Sequence, residues 1–244
     1  MTAVVISQPM LFPWAGFFEQ MMLADCYLWL DDAQFSKGRF TNRIQVLYGD
    51  ERKWLTIPLA GKGSFQEIRH LAAAGDFRDG HLAFLGQAWK GRRYAAEALA
   101  IAADVYSEKK LDQLLIASAE LPARWLGIRT AARTARTSAM AVPGTSSDRV
   151  LALVEAAGGT RYVTGHGAAG YLDHASFERA GIAVEYMAYS KTPWCQGAGV
   201  FTPYVSILDV IAALGREAVS VLHPGTVAWR AVPGTGGAAL PELD

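Results

Sequence analysis

Hydrophobic and polar positions change their spacing several times along the chain, and each change marks an element. Ala3 to Ser7 is a short β-branched run that stops at Gln8-Pro9, the pattern of a buried strand. Phe17, Met21, Met22 and Ala24 then recur at helical spacing, and Cys26-Tyr-Leu-Trp-Leu is apolar throughout up to Asp31-Asp32. Strand, turn, helix and strand in that order predict two parallel neighbours, with the first loop opening at the carboxyl end of the sheet. Gln45 to Tyr48 and Lys53 to Pro58 flank Gly49-Asp50 and predict a hairpin, followed by a flexible Gly61-Lys62-Gly63-Ser64. From Arg78 to Leu126 apolar residues fall three and four apart, as in Leu82, Leu85 and Trp89 or Leu111, Leu114, Leu115 and Ala119, which predicts three helices. Pro122 is expected to restart or kink the last of them.

A second rhythm of strands and helices follows. Ile128 to Met140 carries arginines and hydroxyls and reads either as an Arg-rich strand or as a loop. Gly144-Thr-Ser-Ser-Asp opens a helix through Glu155, with Ser or Thr as its expected cap and Gly158-Gly159 as its end. Arg161 to Thr164 and Ala183 to Tyr189 read as strands, and Phe177 to Ala180 and Ser206 to Leu214 as helices. The predicted fold is α/β: a Rossmann-like parallel sheet with flanking helices and a helical insertion around 78–126, in a single domain over 1–232. The Gly- and Pro-rich tail at 233–244 is expected to be disordered.

Composition narrows the class. With 244 residues, 51% of them hydrophobic, the chain can bury the core of one large α/β domain. Lys plus Arg and Asp plus Glu balance at 23 each, so no global field draws the molecule to nucleic acid or an anionic membrane, and any such attraction is local. The two cysteines, Cys26 and Cys195, suit neither a disulfide framework nor a zinc cluster; they read as buried thiols of a reducing compartment. Pro9, Pro13 and Glu19 interrupt the apolar start before the roughly 20 residues a span needs, so no membrane span and a cytoplasmic location are expected.

Candidate chemistry gathers at the predicted loops. In Gln8-Pro9-Met10-Leu11-Phe12-Pro13-Trp14-Ala15-Gly16, Pro13 stiffens the turn and Gly16 lets the next helix begin close to a ligand. Gln8 offers a donor and an acceptor at the strand end, and the helix start offers free N–H groups; the alternative is a rigid connection with Trp14 as a core plug. Asp31 and Asp32 stand where α/β sites collect side chains, with Gln34, Lys37, Arg39, Asn42 and Arg43 behind them. The carboxylates suit an acid or base and Lys37, Arg39 and Arg43 an anion clamp, against the alternative of a solvated loop. At Thr145-Ser-Ser-Asp148-Arg149 the hydroxyls and Asp148 suit a helix start, but an arginine in a first turn is unfavourable unless it meets an anion. Gly165-His166-Gly167 lies in a glycine-rich loop after a strand, without dinucleotide or Walker spacing. His166 is the histidine best placed to act, with Cys195 as a conceivable nucleophile beside it, whereas His70, His81, His174 and His223 read as surface or satisfied core. No histidine pair has metal-ligand spacing.

Taken in order, QPMLFPWAGFF, LDDAQFSKGRFTNRIQV, WLTIPL, GTSSDRVLALVEAAGGTRYVTGHGAAGYLD and FTPYVSILDVI resemble the WbqC-like protein family over most of residues 3–214. The resemblance implies work in the assembly of surface polysaccharides or specialised metabolites, with transfer of glycine or another aminoacyl group to a sugar. It points to Gln8, Pro13, Trp14 and Gly16, then to Asp31, Asp32, Gln34, Lys37, Asn42 and Arg43. Further on it points to Thr145, Asp148, Arg149, Gly165, Tyr171 and Asp173, and to Ser206 and Asp209. His166 and Cys195 lie outside those motif positions.

The expected activity is therefore transfer of an activated acyl or aminoacyl group to an amine or hydroxyl of a sugar or small-metabolite acceptor. Asp31, Asp32, Lys37 and His166 are the catalytic candidates. No cofactor is fixed by the residues; ATP and an aminoacyl-tRNA donor are the two admitted. A tRNA partner would use Arg124, Arg129, Arg133, Arg136 and Arg149 as a basic face. The rivals are an ATP-dependent adenylate-forming ligase or nucleotidyltransferase and a non-catalytic ligand-binding component of polysaccharide assembly.

Overall fold

A computed structural model describes residues 1–61, 65–129, 131–197 and 199–232. The stretch expected to be flexible at 62–64 and the tail expected to be disordered at 233–244 lie outside the described residues. The elements run β1 (Ala3–Ser7), α1 (Ala15–Met22), β2 (Cys26–Trp29), β3 (Arg43–Tyr48), β4 (Glu51–Thr56), α2 (Arg78–Ala88), α3 (Ala95–Tyr106) and α4 (Leu111–Trp125). After them come β5 (Arg133–Arg136), α5 (Thr137–Met140), α6 (Ser146–Ala156), β6 (Arg161–Thr164), α7 (His174–Arg179), β7 (Ala183–Met187), α8 (Ile207–Leu214) and β8 (Thr226–Ala228).

This is an α/β fold built on a mixed sheet of six strands in the order β5-β2-β1-β6-β7-β8, with β3 and β4 forming a separate antiparallel hairpin. All pairings in the large sheet are parallel except that of β7 with β8. Alternate residues of each central strand serve opposite layers, which is why the strands read as unbroken apolar runs. Ala3, Val5, Tyr27 and Trp29 face a core shared with α1, the hairpin, α2 to α4 and α8. Val4, Ile6, Cys26 and Leu28 face the smaller core of α6 and α7. The chain moves outward from β1 to β2 to β5, then crosses back to β6 on the other side of β1. Ligands of such sheets bind at that reversal, beyond the carboxyl ends of the strands.

Two expectations change in the structure. α4 continues through Pro122 instead of restarting there. Pro122 removes one helical bond, that to the Ser118 carbonyl, and burial of Leu111, Leu114, Leu115 and Ala119 holds the helix in spite of it. Of the two cysteines expected to be buried, Cys26 is buried and Cys195 is exposed. Among the described residues no helix is long and apolar enough to cross a membrane.

The awkward corner after β1 is held by α4. Phe12 has a φ of 38°, strained for a side chain of that size, yet it is 1% exposed. Its N–H donates to Ser118 Oγ (2.9 Å), and that hydroxyl lies 2.7 Å from both the Met10 and the Leu115 carbonyls, which share its one hydrogen, so one serine joins the bend to α4. Pro13 closes the other side, its carbonyl accepting from Ile207 N–H (2.9 Å) at the start of α8.

α8 also carries a wholly buried carboxyl. Asp209 is 0% exposed; its Oδ1 accepts from Trp89 Nε1 (3.0 Å) and Leu47 N–H (3.2 Å), with Arg92 Nη1 3.8 Å away, while Oδ2 is buried without a partner among the described residues. Desolvation outweighs these attractions and pushes the carboxyl up to about 7. The folded state thus keeps a proton that the unfolded chain releases near 3.8, so this contribution to stability is full below that pH and is lost as pH rises to about 7. Asp209→Asn, which cannot ionise, should show a smaller fall in thermal midpoint between about pH 4 and about pH 7 than the parent chain; an equal fall contradicts a protonated Asp209.

Candidate functional site

The carboxyl ends of the parallel strands bring most of the expected residues to one rim of the sheet. Gln8 follows β1, Asp31 and Asp32 follow β2 closely, Thr137 and Ser138 follow β5, and Gly165 and His166 follow β6. The rim divides into an ion-pair node over β2 and β5 and an aromatic ledge beside β1 and β7.

In the node, Asp31 is 0% exposed and both of its oxygens are used. Oδ1 accepts from Ser138 N–H (3.0 Å); Oδ2 accepts from Ser138 Oγ (2.7 Å) and Arg136 Nε (2.7 Å). The same Arg136 guanidinium pairs with Asp112 of α4. Asp32 Oδ2 accepts from Arg149 Nη2 (2.6 Å) and Oδ1 from Thr137 Oγ1 (2.7 Å). Burial alone would raise both carboxyls. The Ser138 and Arg136 bonds to Asp31, and the Arg149 and Thr137 bonds to Asp32, more than offset it and hold both groups below the usual carboxylate range. The anion that Arg149 requires is therefore supplied by Asp32 of the same chain. Arg149 Nε also donates to the Val142 carbonyl (3.2 Å).

The start of α6 differs from expectation. Thr145 occupies the cap position but its side chain makes no capping bond, and Ser146 takes a φ of 52°. Ser147 Oγ turns instead to accept from Asp173 N–H (2.8 Å), which ties α6 to the loop before α7. Thr145 and Asp148 remain exposed.

The ledge is aromatic. Trp14 packs against Phe40 (5.1 Å between centroids) and Tyr204 (6.2 Å), Phe40 against Trp54 (5.5 Å), and Tyr204 against Tyr189 (6.1 Å). Arg43 lies over the Trp54 ring at 4.1 Å and bonds the Gly38 carbonyl, and Lys191 stands 5.7 Å from the Tyr204 ring. Gly16 makes the packing possible: a Cβ there would sit 2.8 Å from Tyr189 Cδ2 and 3.0 Å from Trp14 Nε1. Tyr189 is held in turn by its hydroxyl, which donates to the Pro203 carbonyl (2.7 Å). Lys37 and Arg39 are exposed on the loop before β3. Asn42 is buried, its Nδ2 committed to the Ile57 carbonyl (2.8 Å), and Gln34 is exposed, its backbone bridged to Glu67. Phe40, Trp54, Tyr189 and Tyr204 were not singled out by sequence, because aromatic residues scattered over separate segments read as core, and Lys191 gave no signal apart from the Tyr204 ring it faces.

His166 begins a 3-10 turn, and its Nε2 bonds the Met187 carbonyl at 2.9 Å. A carbonyl only accepts, so Nε2 carries a hydrogen, and in the neutral ring the lone pair is on Nδ1. Nδ1 has no hydrogen-bond partner among the described residues, and nothing joins it to Cys195. The surrounding Gly165, Gly167 and Gly170 have open space where a Cβ would go, so no close backbone approach demands glycine there. Tyr171 is 47% exposed. His81 and His174 are satisfied core residues, bonded to the hydroxyls of Tyr106 (2.9 Å) and Tyr186 (2.8 Å). No group of three His, Cys, Asp or Glu among the described residues is placed to hold a metal ion.

Fold and rim define an α/β protein with a polar and aromatic site at the reversal of a mostly parallel sheet. Its motifs place it further: the WbqC-like protein family profile matches residues 8–221, and the chain belongs to that family. A relative from Mycobacterium tuberculosis (strain ATCC 25618 / H37Rv), named "Uncharacterized protein Rv1507c", is 30% identical over 233 residues, covering 91% of this chain and 98% of its own. No solved structure matches.

Breaking the node exposes its energy. Arg149→Met leaves the half-buried Asp32 carboxylate without its cation and should cost on the order of 3 kcal/mol in denaturant unfolding. Combined with Asp32→Asn, the loss should be smaller than the sum of the single losses; simple additivity would mean the two side chains are not coupled.

Proposed function

We propose that this protein is a group transferase that moves an activated acyl or aminoacyl group, such as glycyl, onto an amine or hydroxyl of a sugar or small-metabolite acceptor. The observation that carries the reading is the His166 imidazole, held by the Met187 carbonyl with a bare Nδ1 at the reversal of the sheet. In the proposed step Nδ1 takes the proton of the acceptor as its oxygen or nitrogen attacks the donor carbonyl carbon. The bond from that carbon to the leaving group then breaks, and the leaving group departs with the electron pair and can receive the proton from the imidazolium.

The base role expected of Asp31 or Asp32 passes to His166 in this reading. Carboxylates held below their usual range, with their oxygens already bonded, are weak proton acceptors, and they serve to position Arg136 and Arg149. The ledge of Trp14, Phe40, Tyr189 and Tyr204 offers apolar faces to a sugar ring, with Lys37 and Arg43 close to it in sequence for a negative group on the donor or acceptor. Met187 ends β7 and Tyr189 follows two residues later, so the group that orients the base and a wall of the ledge lie on one short stretch of backbone.

A tRNA-borne donor has narrower support than the sequence implied. Arg136 and Arg149 are committed to carboxylates, while Arg124, Arg129 and Arg133 remain exposed for a phosphate backbone.

Comparing metabolites of cells with and without the gene should reveal the acylated product, and the purified protein can then be assayed with thioester, aminoacyl-tRNA and acid-plus-ATP donors. His166→Gln should lower kcat by about 10²- to 10⁴-fold with acceptor affinity retained. Unchanged turnover in that variant refutes His166 as base. Pyrophosphate exchange with ATP would replace transfer by adenylate formation, and ligand binding without turnover would leave a binding protein.

A further inference from the structure

The connection from β2 to β3 separates its charges. Its carboxylates, Asp31 and Asp32, are neutralised from elsewhere by Arg136 and Arg149. Its cations are left over: Lys37, Arg39 and, at the start of β3, Arg43 make no ion pair among the described residues. The carboxylates of the adjoining segments are also spent, Glu51 of β4 on Lys53 and Glu67, whose backbone is bridged to Gln34, on Arg69. A chain whose charges balance at 23 each thus carries a local positive cluster.

One exposed ring stands in that cluster. Gly38 takes a φ of 85° in a turn where Arg39 N–H donates to the Ser36 carbonyl (3.4 Å), so Lys37 and Arg39 flank it. The Gly38 carbonyl accepts from Arg43, and the Arg43 guanidinium lies over the Trp54 ring at 4.1 Å. Trp54 is 43% exposed, whereas the other rings of the ledge are half-buried. Phe40, just beyond the turn, joins Trp54 to Trp14, and the row continues through Tyr204 to Tyr189, two residues past the carbonyl that holds His166.

An open aromatic ring beside a guanidinium is a stacking surface for a planar base, and clustered cations hold phosphate oxygens. One open ring and three cations suit one base with its phosphates. A single-stranded nucleic acid would call for a series of open rings, and a free phosphate would make no use of Trp54. We propose that Trp54, Arg43, Lys37 and Arg39 bind the nucleoside diphosphate of a nucleotide-linked sugar, with the sugar lying along Phe40 and Trp14 toward His166. The acceptor of the proposed transfer is then a sugar already carried on a nucleotide, which rests on the transferase reading; nucleotide binding itself does not need His166.

The test is calorimetric titration of the full chain with the diphosphates of uridine, thymidine, adenosine, guanosine and cytidine, beside inorganic pyrophosphate, an oligouridylate and phosphatidylglycerol vesicles. Saturable binding of at least one nucleoside diphosphate is expected, at least about tenfold tighter than pyrophosphate and weaker as salt rises. It should fall at least about tenfold in Trp54→Ala and in Arg43→Gln, and less in Trp54→Phe, which keeps a ring. The double variant Lys37→Gln, Arg39→Gln should lose affinity several-fold; both side chains are exposed, so it decides the matter if circular dichroism shows the hairpin variants misfolded. Arg124→Gln, which removes an exposed arginine of α4, and His166→Gln should bind as the parent chain does. Nucleotide binding without turnover of any nucleotide-linked sugar keeps this site and removes the transferase reading; turnover on a nucleotide-free sugar with no nucleotide binding does the reverse. Absence of saturable binding by all five diphosphates, pyrophosphate bound as tightly as the best of them, preference for the oligouridylate or the vesicles, or unchanged affinity in the folded variants overturns the proposal.

Discussion

The rim of this molecule rests on a pair of adjacent carboxylates that cannot be left alone. Asp31 and Asp32 follow β2 at the carboxyl end of the sheet, one of them wholly buried, and two ionised carboxylates so close would repel each other strongly in a dry site. Arg136 answers the first and Arg149 the second. The two arginines come from opposite directions: Arg136 ends the edge strand, and Arg149 belongs to the helix on the other face. Charge compensation at one point therefore docks β5 to the sheet, α6 to its underside and, through Asp112, α4 above it. β5 needs this. Its four residues are almost entirely exposed and contribute little to either core, so backbone pairing with β2 and the Asp31 contact position it.

That dependence reaches the rest of the sheet. β5 and α4 flank a hollow that β2 lines with Tyr27 and Trp29 before it delivers Asp31 to the node. His166 is oriented from β7, three strands away from β2 on the far side of β1, so the node reaches it only through the sheet.

Much of this was legible in the residues, and the reasons differ by element. β1 and β2 announced themselves because both faces are buried, which leaves short apolar runs, while β6 and β7 kept enough β-branched and aromatic residues around Arg161, Thr164 and Glu185 to read as strands. β5 remained ambiguous between strand and loop for the converse reason: Arg-Thr-Ala-Arg at an exposed edge has no apolar periodicity, and only its partners define it. Sequence also required an anion for Arg149, but not its source, since Asp32 lies 117 residues away. The ledge was the hardest to see. Trp14 was visible beside Gly16, but Phe40, Trp54, Tyr189 and Tyr204 come from separate segments, and each alone reads as packing. What unites them is a shape: Gly16 lacks the Cβ that would displace Tyr189.

The chemistry assigned to the rim follows from which polar groups are spent and which are not. Asp31, Asp32, Arg136, Arg149 and Asn42 have partners inside the chain and little capacity left for a substrate. His166 has one nitrogen engaged and one bare, and Lys37 and Gln8 have no partner among the described side chains. Membership of a motif does not distinguish these groups, since a residue that holds the rim together can stand in it as readily as one that reacts. Hydrogen-bond capacity does distinguish them, because a buried carboxylate with every oxygen bonded must break a native contact before it can take a proton, whereas the Nδ1 lone pair of His166 breaks none.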